Sequence, residues 1–412
     1  MDSYFYGLMS LGLAIALMSF IPIYANKLRI SHVIPLLLIG MLMYAIDVPF
    51  TWPVPLWPLN TIKIISEIIV IISLMVAGLK VGTNYKLSHW KIPLRLISIT
   101  MMLSMLLVFL FSFYMLDLNA PVSLLLAAVL SPTDPVLASK LQLEDHQNID
   151  NKDTGLRFVL TSEAGINDGL AFPFVFFAIV WSKAENFMAI DFANLIGFYF
   201  IYKIIVGTLI GVAIGFSTSY LLQKFKNLQL EQITNGFLAL ALTLFSYGVA
   251  ELAQSYGFLA VFATGITVQY FKRPSNETGK SSLLNFIEET EKLLSLLWTI
   301  FFGGAVVSGI LSYTDWKGIV FSFVFVLLIR PLTGMLALIK TRYALEKRFA
   351  ISFFGIKGIG SFFYLSFALL NGEFTGYESL FGIVSYVVLF SIIIHGLFSI
   401  RVIEYFNENS KY

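Results

Sequence analysis

Asp134 lies between two prolines in the apolar run LSPTDPVLAS (130–139), and three further polar groups follow in LTSEAGINDGLAFPF (160–174): Glu163, Asn167 and Asp168. Carboxylates in apolar surroundings can hold either a proton or a cation. The hydroxyls of Ser131, Thr133 and Ser162 add neutral oxygens, and a hard monovalent cation takes oxygen ligands. On a helix, Glu163 and Asn167 are spaced i, i+4 and share a face, while Asp168 sits about 100° round from Asn167. An aspartate at the centre of a bilayer costs roughly 2.5–3.5 kcal/mol. A proline removes a backbone donor and clashes with the preceding turn. Pro132 and Pro135 therefore break a helix at the point where it carries an acid. The two defects make sense together if the unwound carbonyls and half-helix ends meet an ion. Basic residues repeat the theme later. Arg330 precedes Pro331 in LIRPLTG (328–334), and Lys357 stands among Gly355, Gly358 and Gly360 in FFGIKGIGSFF (353–363), where a helix should again be weak.

The elements that must position these groups are apolar helices. The chain has 412 residues, 58% of them hydrophobic and 13% charged, and a mean hydropathy of +0.82. That leaves too few charges to cover a soluble surface. Apolar runs of about 20 residues, enough to cross a bilayer, recur from end to end. The expected fold is an all-α polytopic membrane protein. Its segments are approximately 4–24, 30–46, 62–81, 93–116, 120–140, 157–181, 192–222, 234–252, 256–271, 290–312, 317–340, 347–370 and 378–404, or about 13 transmembrane helices by the length rule. The first has no basic leader or small-residue cleavage site and reads as a helix, not a signal peptide. Most of the 27 basic residues fall in loops on one side, Arg157 and Lys80 among them, whereas Lys63, Lys183, Lys203 and Lys317 lie on the other. The positive-inside rule then puts the N-terminus outside and the C-terminus in the cytoplasm.

Several function classes drop out. There are no cysteines, so disulfides, thiolate zinc sites and thiol redox chemistry are excluded. His32, His89, His146 and His395 are scattered and form no metal constellation. No basic run suggests nucleic acid, and no Walker A pattern couples nucleotide hydrolysis to work. No cofactor is implied, nor an enzyme. An intramembrane aspartic protease would need a Gly-x-Gly-Asp motif, which is missing.

The two breaks fall in the fifth and twelfth segments, seven apart. If segments 1–6 and 8–13 are repeats, an offset of seven inverts one relative to the other. A single membrane domain, 1–404, would then comprise repeat 1 (about 1–182), a linker helix (about 192–222) and repeat 2 (about 234–404), followed by a short cytoplasmic tail (405–412). Paired interrupted helices in two inverted halves point to a secondary transporter with its site at mid-membrane. The helix breaks are Pro132, Pro135 and Gly358. Half-helix dipoles need counter-charges, and the expectation is that Asp134 serves N-terminal ends in segment five and Lys357 does the reverse in segment twelve.

At these residues the chain resembles the monovalent cation/proton antiporter superfamily, in its NhaP-like Na+/H+ exchanger branch. SPTDPV (131–136) is similar to that family's unwound-helix motif and SEAGINDG (162–169) to its Glu-x-x-x-Asn-Asp signature. EIIVIISLMVAGLKV (67–81), YGVAELAQSYGFLAVFATGI (247–266), RPL (330–332) and GIKGIGS (355–361) extend the match along nearly all segments. The resemblance implies that Asp168 is the essential carboxylate and Thr133 a ligand at the unwound segment. Asp134 would shape the site directly or through water. Glu163 would help form the cation site or pair with a buried cation such as Arg330, and Asn167 would be structural. The cation ligands would be Asp168, Glu163 and Thr133. Two residues depart from the family. Ala164 stands where Ser or Thr is common and removes one oxygen. Lys357 replaces an arginine and lacks its planar fork.

The implied activity is exchange of Na+, with Li+ and K+ as alternatives, for H+. With Asn167 rather than a second acid beside Asp168, swapping one cation for one proton leaves the site charge unchanged, so 1:1 electroneutral exchange by alternating exposure of Asp168 is expected. The implied partners are the cation, the proton, the lipid bilayer of the cell membrane and a second copy in a homodimer. The rivals are a K+/H+ antiporter, a cation channel and an organic-anion symporter, the last disfavoured by three acids. Blander readings hold elsewhere. The turn with His146 (143–153) is solvated, EETE (288–291) attracts cations or is solvated, Glu251 is a packing group, and Trp52, Trp57 and Trp90 are interface anchors.

Overall fold

The computed structural model describes residues 2–50, 52–53, 57–81, 87–134, 152–224, 235–271 and 282–408, and contains no strand among them. In chain order the helices are α1 (Asp2–Lys27), α2 (Val33–Ala45), α3 (Leu59–Val81), α4 (Lys91–Tyr114), α5 (Ala120–Val129), α6 (Lys152–Lys183) and α7 (Phe192–Lys224). Then come α8 (Asn235–Leu252), α9 (Gly257–Phe271), α10 (Ser282–Ser308), α11 (Trp316–Ala337), α12 (Leu345–Phe353), α13 (Ile359–Asn371) and α14 (Glu378–Glu408). Each expected apolar segment carries helix. Among the described residues, eight helices are long and apolar enough to cross a membrane, and five apolar ones are shorter. Two of the short ones, α5 and α13, are halves beside a break. Pro135 and His146 lie outside the described residues.

The break in the fifth segment follows from its ends. Asn119 caps α5 by accepting the Val122 N–H at 3.0 Å, and the helix stops at Val129, just short of Pro132, whose ring disfavours helical geometry in the residue before it. In the twelfth segment, residues 354–358 are unwound between α12 and α13.

Small residues set the helix contacts, as they do where lipid tails remove the hydrophobic drive between helices. Gly207, Gly211 and Gly215 form one ridge of α7 seated on α9; a methyl group on Gly211 would lie 2.2 Å from the Ala260 carbonyl oxygen. Gly78 and Gly265 bring α3 against α9, and Gly40 and Gly303 bring α2 against α10. The α3–α9 and α10–α2 contacts are related by the same offset of seven segments that relates the two breaks. By contrast, α1 and α7 leave most of their apolar surface uncovered, the face a bilayer would wet.

Three expectations are corrected. Arg157 is not in a loop; it lies inside α6 and is buried. Lys80 is buried in the last turn of α3. Helix α10 begins at Ser282, eight residues before the apolar run, so the EETE tetrad belongs to the helix. Trp52 and Trp57 pack around Phe301 in an aromatic cluster, with ring centroids 5.9 and 5.1 Å from it.

Candidate ion-binding site

The two unwound stretches cross and hydrogen-bond to each other. The Asp134 N–H donates to the Ile356 carbonyl at 2.7 Å, and the Asp134 carboxylate accepts the Ile359 N–H at 2.9 Å. Asp134 therefore caps the N-terminus of α13, where free N–H groups and the helix dipole favour an anion. Lys357 does the converse. Its ammonium donates to the carbonyls of Ser131 at 3.1 Å and Pro132 at 2.5 Å, the end of α5 where free carbonyls favour a cation. The expected assignment is thus crossed: among the described residues, each charge serves the other broken helix. The physical reason is the crossing itself, which puts the end of each half-helix nearer to the partner stretch than to its own. Ser361 adds a hydroxyl bond to the Val129 carbonyl at 3.0 Å.

Helix α6 supplies the remaining groups. Gly165 and Gly169 set it tightly on α9: a methyl group at either would lie 2.2 Å from Phe262 or Leu259 side-chain atoms. The opposite side of α6 faces the crossing. Asn167 donates to the Thr133 hydroxyl at 2.9 Å and accepts the Thr133 N–H at 3.3 Å, fixing the unwound stretch to α6. The Tyr364 hydroxyl donates to the Asp168 backbone carbonyl. The Asp168 side chain is 3% exposed, and among the described residues its carboxylate makes no hydrogen bond. A narrow cleft is lined by Asp168, Asp134, Thr133, Pro132, Gly358 and Ser73 with their neighbours.

The structure brings Thr133, Asp134 and Asp168 together and sets Glu163 apart. The Glu163 carboxylate accepts from the Arg330 guanidinium at 2.6 Å, both side chains being buried. Of the two roles the resemblance allows, the geometry gives Glu163 the ion pair. Gly355 makes room for that pair, because a methyl group there would meet the Arg330 Nε at 2.1 Å.

Several groups escape the motif reading. Ser391 accepts the Lys357 N–H at 2.8 Å and is bonded in turn to His395. Glu251 caps α9 by accepting the Gly257 N–H at 3.1 Å. Glu291 is 3% exposed and accepts the Ser73 hydroxyl at 2.6 Å, and Lys80 pairs with Glu288 at 2.9 Å. A signal for Glu291 exists in the sequence: Leu284, Ile287, Glu291 and Ser295 recur at helical spacing and are all buried.

Two broken helices crossing at buried acids, with one end of each met by an opposite charge, is the architecture of secondary transporters with their site at mid-membrane. This chain belongs to the sodium/hydrogen exchanger, transmembrane family, whose family model matches residues 13–403. It is 26% identical over 399 residues to the Na+/H+ antiporter NhaG of Bacillus atrophaeus, covering 94% of this chain and 72% of that protein. It is 28% identical over 307 residues to a Na+/H+ antiporter of Schizosaccharomyces pombe, covering 68% of this chain and 64% of that one. In fold it is similar to the sodium proton antiporter MjNhaP1 of Methanocaldococcus jannaschii. The structure of that protein at pH 8 matches with a TM-score of 0.63 and 19% identity over 95% of this chain and 98% of that chain. An electron-microscopy structure of it matches with a TM-score of 0.71, 16% identity and 97% of each chain.

Proposed function

We propose that this chain exchanges Na+ for H+ across the cell membrane, with Asp168 binding the two ions in turn. The observation that carries the reading is the Asp168 carboxylate: buried, without a hydrogen bond among the described residues, and facing a cleft with Asp134 and Thr133 at the crossing. A carboxylate so placed gains by binding either ion, and both cannot occupy it at once. Thr133 and Asp134 are the companion ligands. Arg330 is committed to Glu163, so the nearby positive charge belongs to Lys357, and exchange of one cation for one proton leaves the site charge constant. The transport is electroneutral and 1:1.

Alternating access follows from the two inverted repeats, about 1–182 and 234–404, around the linker helix, with the crossing moving against the remaining bundle. The N-terminus is outside and the C-terminus cytoplasmic, in agreement with the basic loops. The uncovered apolar surface of α1 and α7 is available to lipid and to a second copy in a homodimer, the assembly the family resemblance implies. Exchange for K+ is the second reading; ligand distances, not ligand types, separate the two.

The test is purified protein in proteoliposomes with an imposed pH gradient and a pH-sensitive dye, adding Na+, Li+ or K+ in turn. Saturable proton movement driven by Na+ supports the proposal. A response to K+ alone replaces Na+ by K+, and an unsaturable cation current without coupled proton movement indicates a channel.

A further inference from the structure

Ser73 is the one member of the cleft contributed by α3 whose side chain carries an oxygen. A serine hydroxyl has one proton to donate and two lone pairs. In this protein the proton is committed: it is given to the Glu291 carboxylate of α10 at 2.6 Å, with both residues buried. Ser73 lines the cleft, and its oxygen keeps its lone pairs as an acceptor. One turn away on α10, Glu288 pairs with Lys80 at 2.9 Å. Ala164 on α6 lacks the hydroxyl that Ser or Thr would bring at that position.

We propose that Ser73 is an oxygen ligand of the transported monovalent cation and that Glu291 is the positioning residue that turns its lone pairs toward Asp168. This rests on the reading of Asp168 as the cation and proton carrier. A glutamine at position 291 would keep the size but loosen the hold on Ser73, because its carbonyl oxygen is a weaker acceptor than a carboxylate and its N–H competes for the Ser73 lone pair. An alanine at 73 removes the ligand outright, and threonine restores it. The ligand acts on cation binding, so its loss raises the half-saturating concentration while the maximal rate stays in range.

The experiment measures Na+-driven proton movement in proteoliposomes over a range of Na+ concentrations for wild type, Ser73→Ala, Ser73→Thr, Glu291→Gln and the double variant. Alongside it, the Na+ concentration giving half-maximal thermal stabilisation of each purified protein is measured, a readout independent of turnover. We expect Ser73→Ala and Glu291→Gln each to raise both Na+ concentrations by up to about tenfold, the equivalent of one lost polar contact. The double variant should be no worse than Ser73→Ala, and Ser73→Thr should return close to wild type. Unchanged Na+ dependence in Ser73→Ala overturns the proposal even if Glu291→Gln fails to fold, and where it folds a double effect equal to the product of the singles does so too. Wild type that is stabilised by Na+ but exchanges nothing overturns the transport reading and leaves the ligand assignment to the stability series. Wild type that shows neither response overturns both.

Discussion

Glu163 and Arg330 are buried together 2.6 Å apart, so removing either leaves the other as an uncompensated charge. Glu163→Gln and Arg330→Met should each lower stability by about 3–5 kcal/mol, and the double variant by less than their sum. Thermal unfolding of the purified variants checks this, and strict additivity would show the two side chains to be independent. Lys357→Met removes two charge-assisted bonds to the carbonyls of Ser131 and Pro132, with an expected loss of about 1.5–3 kcal/mol in the same measurement. At this scale the sequence discloses what is local. Asp134 announces itself between prolines, and Asn167 and Asp168 within a compact motif. The pairing of Ser73 with Glu291 does not, since the two lie 218 residues apart and a serine in an apolar run is ordinarily satisfied by its own helix; helical spacing marks Glu291 as buried but not its partner. Nor could local pattern assign Asp134 and Lys357 to each other's half-helices; that depends on how two distant breaks cross.

At the scale of elements, the twelfth segment shows why glycines of one motif are not equivalent. A methyl group at Gly355 would lie 2.1 Å from the Arg330 Nε, whereas the nearest atoms to one at Gly360 are 4.0 Å away. Gly355→Ala should therefore destabilise by about 1–3 kcal/mol through overpacking. Gly360→Ala, inside α13, should be neutral or stabilising by up to about 1 kcal/mol, the helix propensity difference. Comparable losses in both would mean that Gly355 is not held against the ion pair. Hydropathy located the helices because a bilayer demands long apolar runs, and the prolines located the first break. It did not disclose the π-helical stretches Leu96–Met101, Leu195–Tyr202 and Phe325–Ile329, whose composition is as apolar as the α-helix around them. It also began α10 too late, because the charged tetrad that looks like a loop contains a buried residue, Glu291.

For the whole molecule, the orientation can be read directly because the chain has no cysteine. Met188, between α6 and α7, is 89% exposed, and Leu345, at the start of α12, is 69% exposed. Met188→Cys should react with a membrane-impermeant maleimide on intact cells and Leu345→Cys only after lysis; the reverse pattern would invert the topology. The two breaks, seven segments apart, were visible in the sequence, whereas the packing of α3 on α9 and of α2 on α10 is tertiary information that glycine spacing does not specify. The central claim is that a single carboxylate serves both ions. Its most direct test is Na+-driven proton movement in proteoliposomes, wild type beside Asp168→Asn, with and without a clamped membrane potential. Saturable, potential-independent exchange is expected in the wild type and none in the variant. Retained exchange in Asp168→Asn would contradict the role of Asp168, and exchange driven by the potential would contradict its neutral stoichiometry.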